Sequence, residues 1–185
     1  TITSVIWLKK PTFSKFIAFL TTIILVQFSF IYTKKEIESQ QELIVFNAKK
    51  KTIITARNGR NISLFTNDSL LKNGSKNGIL DAYLVGNFGN LKEINKIKNI
   101  LFFNTKKILL VDSSGIYTNK IRPNIIILTQ SPKINLDRLL VELQPKVVVA
   151  DATNSYSFQK YWKASCLKKN IPFHSTREKG YYKLN

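Results

Sequence analysis

The chain has 185 residues, with 29 Lys and Arg against 11 Asp and Glu and a formal charge of +18. That excess favours polyanionic neighbours, nucleic acid or an anionic membrane surface, although Lys, Asn and Ile abound throughout, as an AT-rich coding bias would produce. A single Cys excludes an intrachain disulfide and a cysteine zinc cluster, and a single His excludes a multi-histidine metal centre.

The chain begins with Thr and contains no Met. We read it as a piece of a longer polytopic protein, with N-terminal processing as the alternative. Residues 1–12 carry Val5, Ile6, Trp7 and Leu8 and read as the end of a preceding membrane segment or loop. Residues 16–33 are uncharged, between Lys15 and Lys34. A helix of that length spans roughly 27 Å, about the hydrocarbon thickness. The run is longer than a signal-peptide core and lacks a small-x-small cleavage site. Residues 13–34 are therefore expected to be a transmembrane helix. Its orientation is not legible, because Lys9, Lys10 and Lys15 before it balance Lys34, Lys35 and Lys49 to Lys51 after it.

A polar linker, 35–41, leads to a soluble domain, 42–185. Leu43–Phe46, Thr52–Ala56 and Ile62–Phe65 read as strands. Arg57-Asn58-Gly59-Arg60 is a hairpin turn, because Asn-Gly accepts positive φ. Residues 67–78 are a loop rich in Asn, Gly, Ser and Lys. Ile79–Val85 reads as a helix. So does Leu91–Ile100, where Leu91, Ile94, Ile97 and Leu101 recur at about every third residue. Leu101–Phe103 and Ile108–Val111 are strands, the second ending at Asp112.

From Pro123 to Leu184 the pattern alternates. Ile125–Leu128 is a buried strand. Asn135 caps a helix whose Leu136, Leu139, Leu140 and Leu143 share one face, and Pro145 ends it. Val147–Ala150 is a second buried strand, ending at Asp151. Asn154 or Ser155 opens a helix with Phe158, Tyr161, Trp162, Ser165 and Cys166 on its core side. Cys166 there is a small buried hydrophobe. A short strand at 172–176, a polar turn at 177–180 and a strand at 181–184 close the chain. Strands first and alternation afterwards make an α/β domain, or α+β layered domain.

Chemistry is sparse. No His-x-His, Cys-x-x-Cys, His-Glu-x-x-His or phosphate-loop spacing occurs. Asp112 and Asp151 each end an apolar strand, where α/β sheets place ligand groups, and they are the candidate metal residues. Both also suit turns or caps. His174, Asn154 and Thr176 are candidate polar site residues. Lys160, Lys163, Lys168, Lys169, Arg177 and Lys179 are candidate nucleic-acid contacts, interleaved with aromatics. A solvated face is the plainer reading of that row.

The order of landmarks resembles a known family. Asp112 follows a strand; Pro123-Asn-Ile-Ile-Ile-Leu-Thr-Gln-Ser-Pro-Lys follows a loop. Then come Leu-Gln-Pro-Lys-Val-Val-Val-Ala-Asp-Ala-Thr-Asn-Ser-Tyr, a helix and Ile-Pro-Phe-His-Ser-Thr-Arg-Glu-Lys-Gly. This is similar to the C-terminal metallo-β-lactamase-like domain of the ComEC competence proteins, polytopic channels for DNA uptake. The resemblance covers about 40–185, and it is specific in 123–184. It implies a reduced αββα sandwich preceded by one transmembrane helix. Active members carry a His-x-His-x-Asp-His loop, absent here, and a His-His-Gly-Ser turn where this chain has Thr129-Gln130-Ser131-Pro132. Asp112 resembles the metal-bridging Asp without its partners.

The resemblance implies the end of an inner-membrane protein for uptake of single-stranded DNA. Its soluble domain would be catalytically inactive and extracytoplasmic, without a cofactor. Its partners would be the membrane and either single-stranded DNA or the channel part of the same protein. Two alternatives are a metal-dependent hydrolase or nuclease using Asp112 and Asp151, with His174 as a further candidate, and a stand-alone membrane-anchored α/β protein-binding domain.

Overall fold

A computed structural model describes residues 12–67 and 77–185. The apolar segment expected at 1–8 and the middle of the 67–78 loop lie outside the described residues. The chain divides into two units, Thr1–Gln40 and Gln41–Asn185.

In the first unit, α1 runs Phe13–Ser39 and buries no residue. Among the described residues it is the one helix long and apolar enough to cross a membrane. Thr21, Thr22 and Thr33 donate to the carbonyls four residues back, so these hydroxyls need no outside partner. Residues 35–39, expected as linker, continue the helix.

The second unit is built on two five-stranded sheets. The first holds β1 (Gln41–Val45), β2 (Ile53–Asn58), β3 (Asn61–Thr66) and β4 (Asn90–Lys96). The second holds β5 (Ile100–Phe103), β6 (Lys106–Val111), β7 (Ile125–Leu128), β8 (Val147–Ala150) and β9 (Phe173–Ser175). The last strand, β10 (Tyr182–Leu184), crosses back and pairs antiparallel with β1. The helices are α2 (Gly78–Gly86), α3 (Leu136–Leu143), α4 (Tyr156–Lys168) and α5 (Thr176–Lys179).

Alternation along the strands sorts the side chains into three apolar layers. Leu43, Val45 and Ile54 meet Ile108, Leu110, Ile125, Ile127 and Val149 between the sheets. On the outer face of the second sheet, Leu109, Ile126 and Val148 meet the four leucines of α3 and Trp162 of α4. Ile44, Ile53 and Leu64 meet Leu80 of α2 on the outer face of the first. The order is helix, sheet, sheet, helix, the layered α+β architecture expected. Each α3 leucine is essentially inaccessible, and burial of such a side chain contributes about 1.5–3 kcal/mol.

At Asn135 capping follows the sequence, whereas Ser155 precedes α4 without a side-chain cap bond. Asn135 accepts from Arg138 N at 3.0 Å, and Asn77 accepts from Ile79 N at 3.0 Å. The expected hairpin joins β2 to β3, with Asn58 paired to Asn61. Of the turn residues Gly59 and Arg60, Gly59 has φ 63° and Arg60 is not in the positive-φ region, as in a type II′ turn.

Expectations within the second unit fail as well. Residues 91–100 are not helical; β4 lies parallel to β3 and β5 begins at Ile100. A register shift between Ile62 and Ser63 pairs Ile62 with Leu91 and Ser63 with Glu93, leaving Lys92 as an extra residue. Leu91 and Ile94 therefore share a face although three apart, which imitates helical spacing. Tyr161 is 55 % exposed and lies at the rim of α4; its hydroxyl donates to Asp137 Oδ2 at 3.3 Å.

Gly89 sits where a Cβ would lie 2.2 Å from Ile62 Cδ1. Ile62 is fully buried. Gly89→Ala is expected to cost about 1–3 kcal/mol by overpacking, read as a lower denaturation midpoint in urea.

Candidate functional site

Strands β6 to β9 are mutually parallel, so their C-terminal ends share one edge. Ligand groups in α/β sheets gather at such an edge. Both candidate carboxylates are there, on different terms.

Asp112 belongs to its own turn. Its Oδ1 accepts from Ser114 N at 3.0 Å and Ser114 Oγ at 2.5 Å. Gly115, at φ 66°, closes the turn by donating to Asp112 O at 2.9 Å. Ser113 reaches the next loop through Gln130 Oε1 at 3.2 Å.

Asp151 is buried at the centre of a polar network. Thr52 Oγ1 donates to its Oδ2 at 2.8 Å, and Thr129 Oγ1 at 2.9 Å. Its Oδ1 accepts from Thr153 N at 3.0 Å, Thr153 Oγ1 at 2.5 Å and Asn154 Nδ2 at 3.0 Å. Thr52 and Thr129 also touch each other through their hydroxyls. Burial pushes the Asp151 carboxyl above the ordinary carboxylate range, and the donors from Thr153, Thr52 and Thr129 do not fully offset it.

The network reaches outward. Thr52 lies just before β2, so its bond to Asp151 ties the two sheets together. Gln130 and Ser131 have φ 59° and 54°. Their N–H groups donate to Thr153 Oγ1 at 2.7 Å and Asn154 Oδ1 at 2.8 Å. Asn154 Nδ2 in turn donates to Leu128 O at 2.7 Å. Two successive non-glycine residues in the left-handed region are held by these side chains, a costly local conformation. Gln159 Nε2 donates to Asn154 O at 3.0 Å and its Oε1 accepts from Ser175 Oγ at 2.5 Å.

His174 is half-buried in β9. Its Nε2 lies 3.1 Å from Gly180 O and its ring meets Tyr182 edge-on at 5.1 Å. It staples the crossover from β9 to β10. Thr176 opens α5, and its buried hydroxyl has no partner among the described residues.

The basic candidates separate. Arg177 Nη2 donates to Ala152 O and Asn154 O, each at 3.1 Å, latching the Asp151 loop. Lys163 pairs with Glu178 at 2.9 Å, and Lys179 donates to Phe173 O at 3.4 Å. Lys160, Lys168 and Lys169 are exposed on or after α4. Cys166 is buried, and burial, then the Asp137 charge, pushes its thiol up to about 12. In the native chain it is expected to resist thiol reagents, checked by 5,5′-dithiobis(2-nitrobenzoate) titration before and after denaturation.

A metal ion does not suit these residues. Among the described residues no three His, Cys, Asp or Glu side chains gather as a ligand set. Both Asp151 oxygens are filled by donors, and the groups around them are hydroxyls and an amide. Sequence reading missed Thr52, Thr129, Thr153, Gln159 and Ser175. The only signal for them was a polar residue abutting an apolar strand, as in Leu128-Thr129.

The fold and this edge define a layered αββα domain whose strand-end carboxylate is closed in by hydroxyl and amide side chains. The sequence matches the ComEC C-terminal domain family over residues 43–185, and the chain belongs to that family. It thereby forms part of a competence protein for DNA uptake, a membrane-associated class, and one apolar helix precedes the matched region. No curated protein matches the chain.

Proposed function

We propose that residues 13–34 anchor the chain in the cytoplasmic membrane and that 42–185 form a metallo-β-lactamase-like domain without hydrolytic activity, on the extracytoplasmic side. It would support passage of single-stranded DNA by docking to the channel part of the same protein and by Lys-to-phosphate contacts. The observation that carries this reading is Asp151, the strand-end carboxylate, enclosed by Thr52, Thr129, Thr153 and Asn154. A group so enclosed can hold loops together and has no acceptor capacity left for a metal.

Purified protein is expected to contain no stoichiometric divalent ion by elemental analysis. Nuclease activity that depends on added Mn²⁺ or Zn²⁺ and falls in Asp112→Ala would overturn the reading in favour of a hydrolase. The gene upstream of Thr1 is expected to encode further membrane segments; a start codon immediately before Thr1 would favour the stand-alone anchored domain.

Phosphate contact has its own signature. Replacing Lys160, Lys168 and Lys169 together by Ala should weaken single-strand binding and flatten the slope of log K against log salt by about 2. An unchanged slope would leave only docking to the channel.

A further inference from the structure

The edge of the sandwich opposite Asp151 carries a surface left exposed among the described residues. Register pairs Gln41 with Asn58, Asn58 with Asn61, and Asn61 with Asn90. The Gly59-Arg60 and Phe88-Gly89 turns therefore line the same edge as the first residue of β1. A cleft of about 320 Å³ is bounded by Gln41, Asn58 and Asn61 from one sheet and Phe102, Phe103 and Asn104 from the other. That places the β5–β6 turn on this edge as well.

Three large apolar side chains project here: Val85 is 78 % exposed, Phe88 66 % and Phe102 70 %. Phe88 is held in this position. Its φ is 51°, which is rare for a bulky residue. The turn around it is fastened by Phe88 N to Val85 O at 3.2 Å, Gly89 N to Leu84 O at 2.8 Å and Asn90 N to Arg60 O at 2.7 Å. Arg57 adds a bond from Nη1 to Asn87 Oδ1 at 2.9 Å.

Arg60 lines a shallow depression of about 470 Å³ with Val85 and Phe88. Its Nε is buried and has no hydrogen-bond partner among the described residues. Lys107 and Lys146 are exposed at the starts of β6 and β8, on the same edge. Exposed aromatic and aliphatic groups beside a guanidinium with no ion pair among the described residues match the two layers of a membrane surface.

We propose that this edge docks on an anionic phospholipid surface, with Val85, Phe88 and Phe102 entering the interfacial layer and Arg60 taking a lipid phosphate. The proposal rests on the reading of α1 as a membrane anchor. Chain continuity supports it: β1 starts at Gln41, the residue after the C-cap of α1. The tether is covalent and fixes no orientation; the exposed groups supply the orientation. Single-stranded DNA would also meet Arg60, but nucleic acid gives no reason to expose Val85.

The full chain is reconstituted in vesicles of phosphatidylglycerol and phosphatidylcholine, carrying one fluorophore at Val85→Cys, Ser113→Cys or Leu25→Cys. Cys166 is buried and stays in place. Brominated phosphatidylcholine should quench most of the emission at 25 and at 85, and little at 113, which lies beyond β6 on the opposite edge. Phe88→Asp or Arg60→Gln should abolish the quenching at 85 while leaving the thermal midpoint unchanged. Quenching at 25 without quenching at 85 overturns the docking edge and leaves the anchor. Loss at both positions overturns both. Quenching at 85 that requires an added single-stranded oligonucleotide overturns lipid docking in favour of nucleic acid.

Discussion

Asp151→Ala should destabilise the domain by about 3–5 kcal/mol, whereas Asp151→Asn should cost little. The alanine leaves the hydroxyls of Thr52, Thr129 and Thr153 and the Asn154 amide without their shared acceptor in a buried site. It also frees the Gln130-Ser131 turn, whose left-handed residues depend on Thr153 and Asn154. The asparagine keeps Oδ1 for Thr153 and Asn154 and can donate to the two threonine hydroxyls, which rotate to accept. By differential scanning calorimetry the alanine variant should melt roughly 10 °C lower or more. Equal midpoints for Ala and Asn would show that the network contributes nothing.

The same group sets a pH dependence. Its folded pKa is raised by burial. The unfolded carboxyl titrates near ~4. Stability from its neutral form is fully present below about pH 4 and is lost as pH rises through the folded value. Asp151→Asn should remove that slope. A slope unchanged in Asp151→Asn would assign it elsewhere.

Glu42→Ala should cost a comparable amount, about 3–5 kcal/mol, because it leaves a buried guanidinium without its carboxylate. Arg57 and Glu42 are both buried under α2 and lie 3.3 Å apart. Glu42 Oε1 also accepts from Tyr83 at 2.6 Å, and Lys183 Nζ meets Oε2 at 2.7 Å. The pair thus joins β1, β2, α2 and β10. Burial alone raises the Glu42 carboxyl, but Lys183, Tyr83 and Arg57 together outweigh it and the net direction is downward. Its contribution is present above the unfolded value near ~4.3 and is lost as pH falls through the lower folded value. Glu42 and Asp151 therefore act in opposite directions in acid. Urea midpoints of Glu42→Gln between about pH 3 and pH 6 should converge on wild type at the acid end. A constant difference would overturn the assignment.

Much of the fold was legible because its elements obey short-range rules. The α3 leucines at i, i+3, i+4 and i+7 could bury only one face, and the Asn135 cap and Pro145 set its ends. Ile125–Leu128 and Val147–Ala150 had no polar alternation, so they had to be covered on both faces. The uncharged run 16–33 has the length and apolar composition of a long helix, and α1 covers it. The landmarks from Pro123 onward also carried the family.

Local rules missed what depends on distant residues. The extra residue at Lys92 gave a strand the spacing of a helix. The crossover of β10 to the first sheet was invisible, because a three-residue strand does not encode its partner. Thr52 and Asp151 are bonded across 99 positions of sequence, and nothing near either one announces the other.

The sequence by itself determined the long apolar helix, the alternating second half, the absence of a histidine ligand set and the family. The tertiary structure decided that Asp151 is enclosed and Asp112 closes a turn. It decided too that Arg177 latches a loop and that Phe88 is held outward beside Arg60. The physical reason is that composition and periodicity fix which groups must leave water. Which polar groups then satisfy one another, and which apolar ones stay exposed, is set only when the sheets stack.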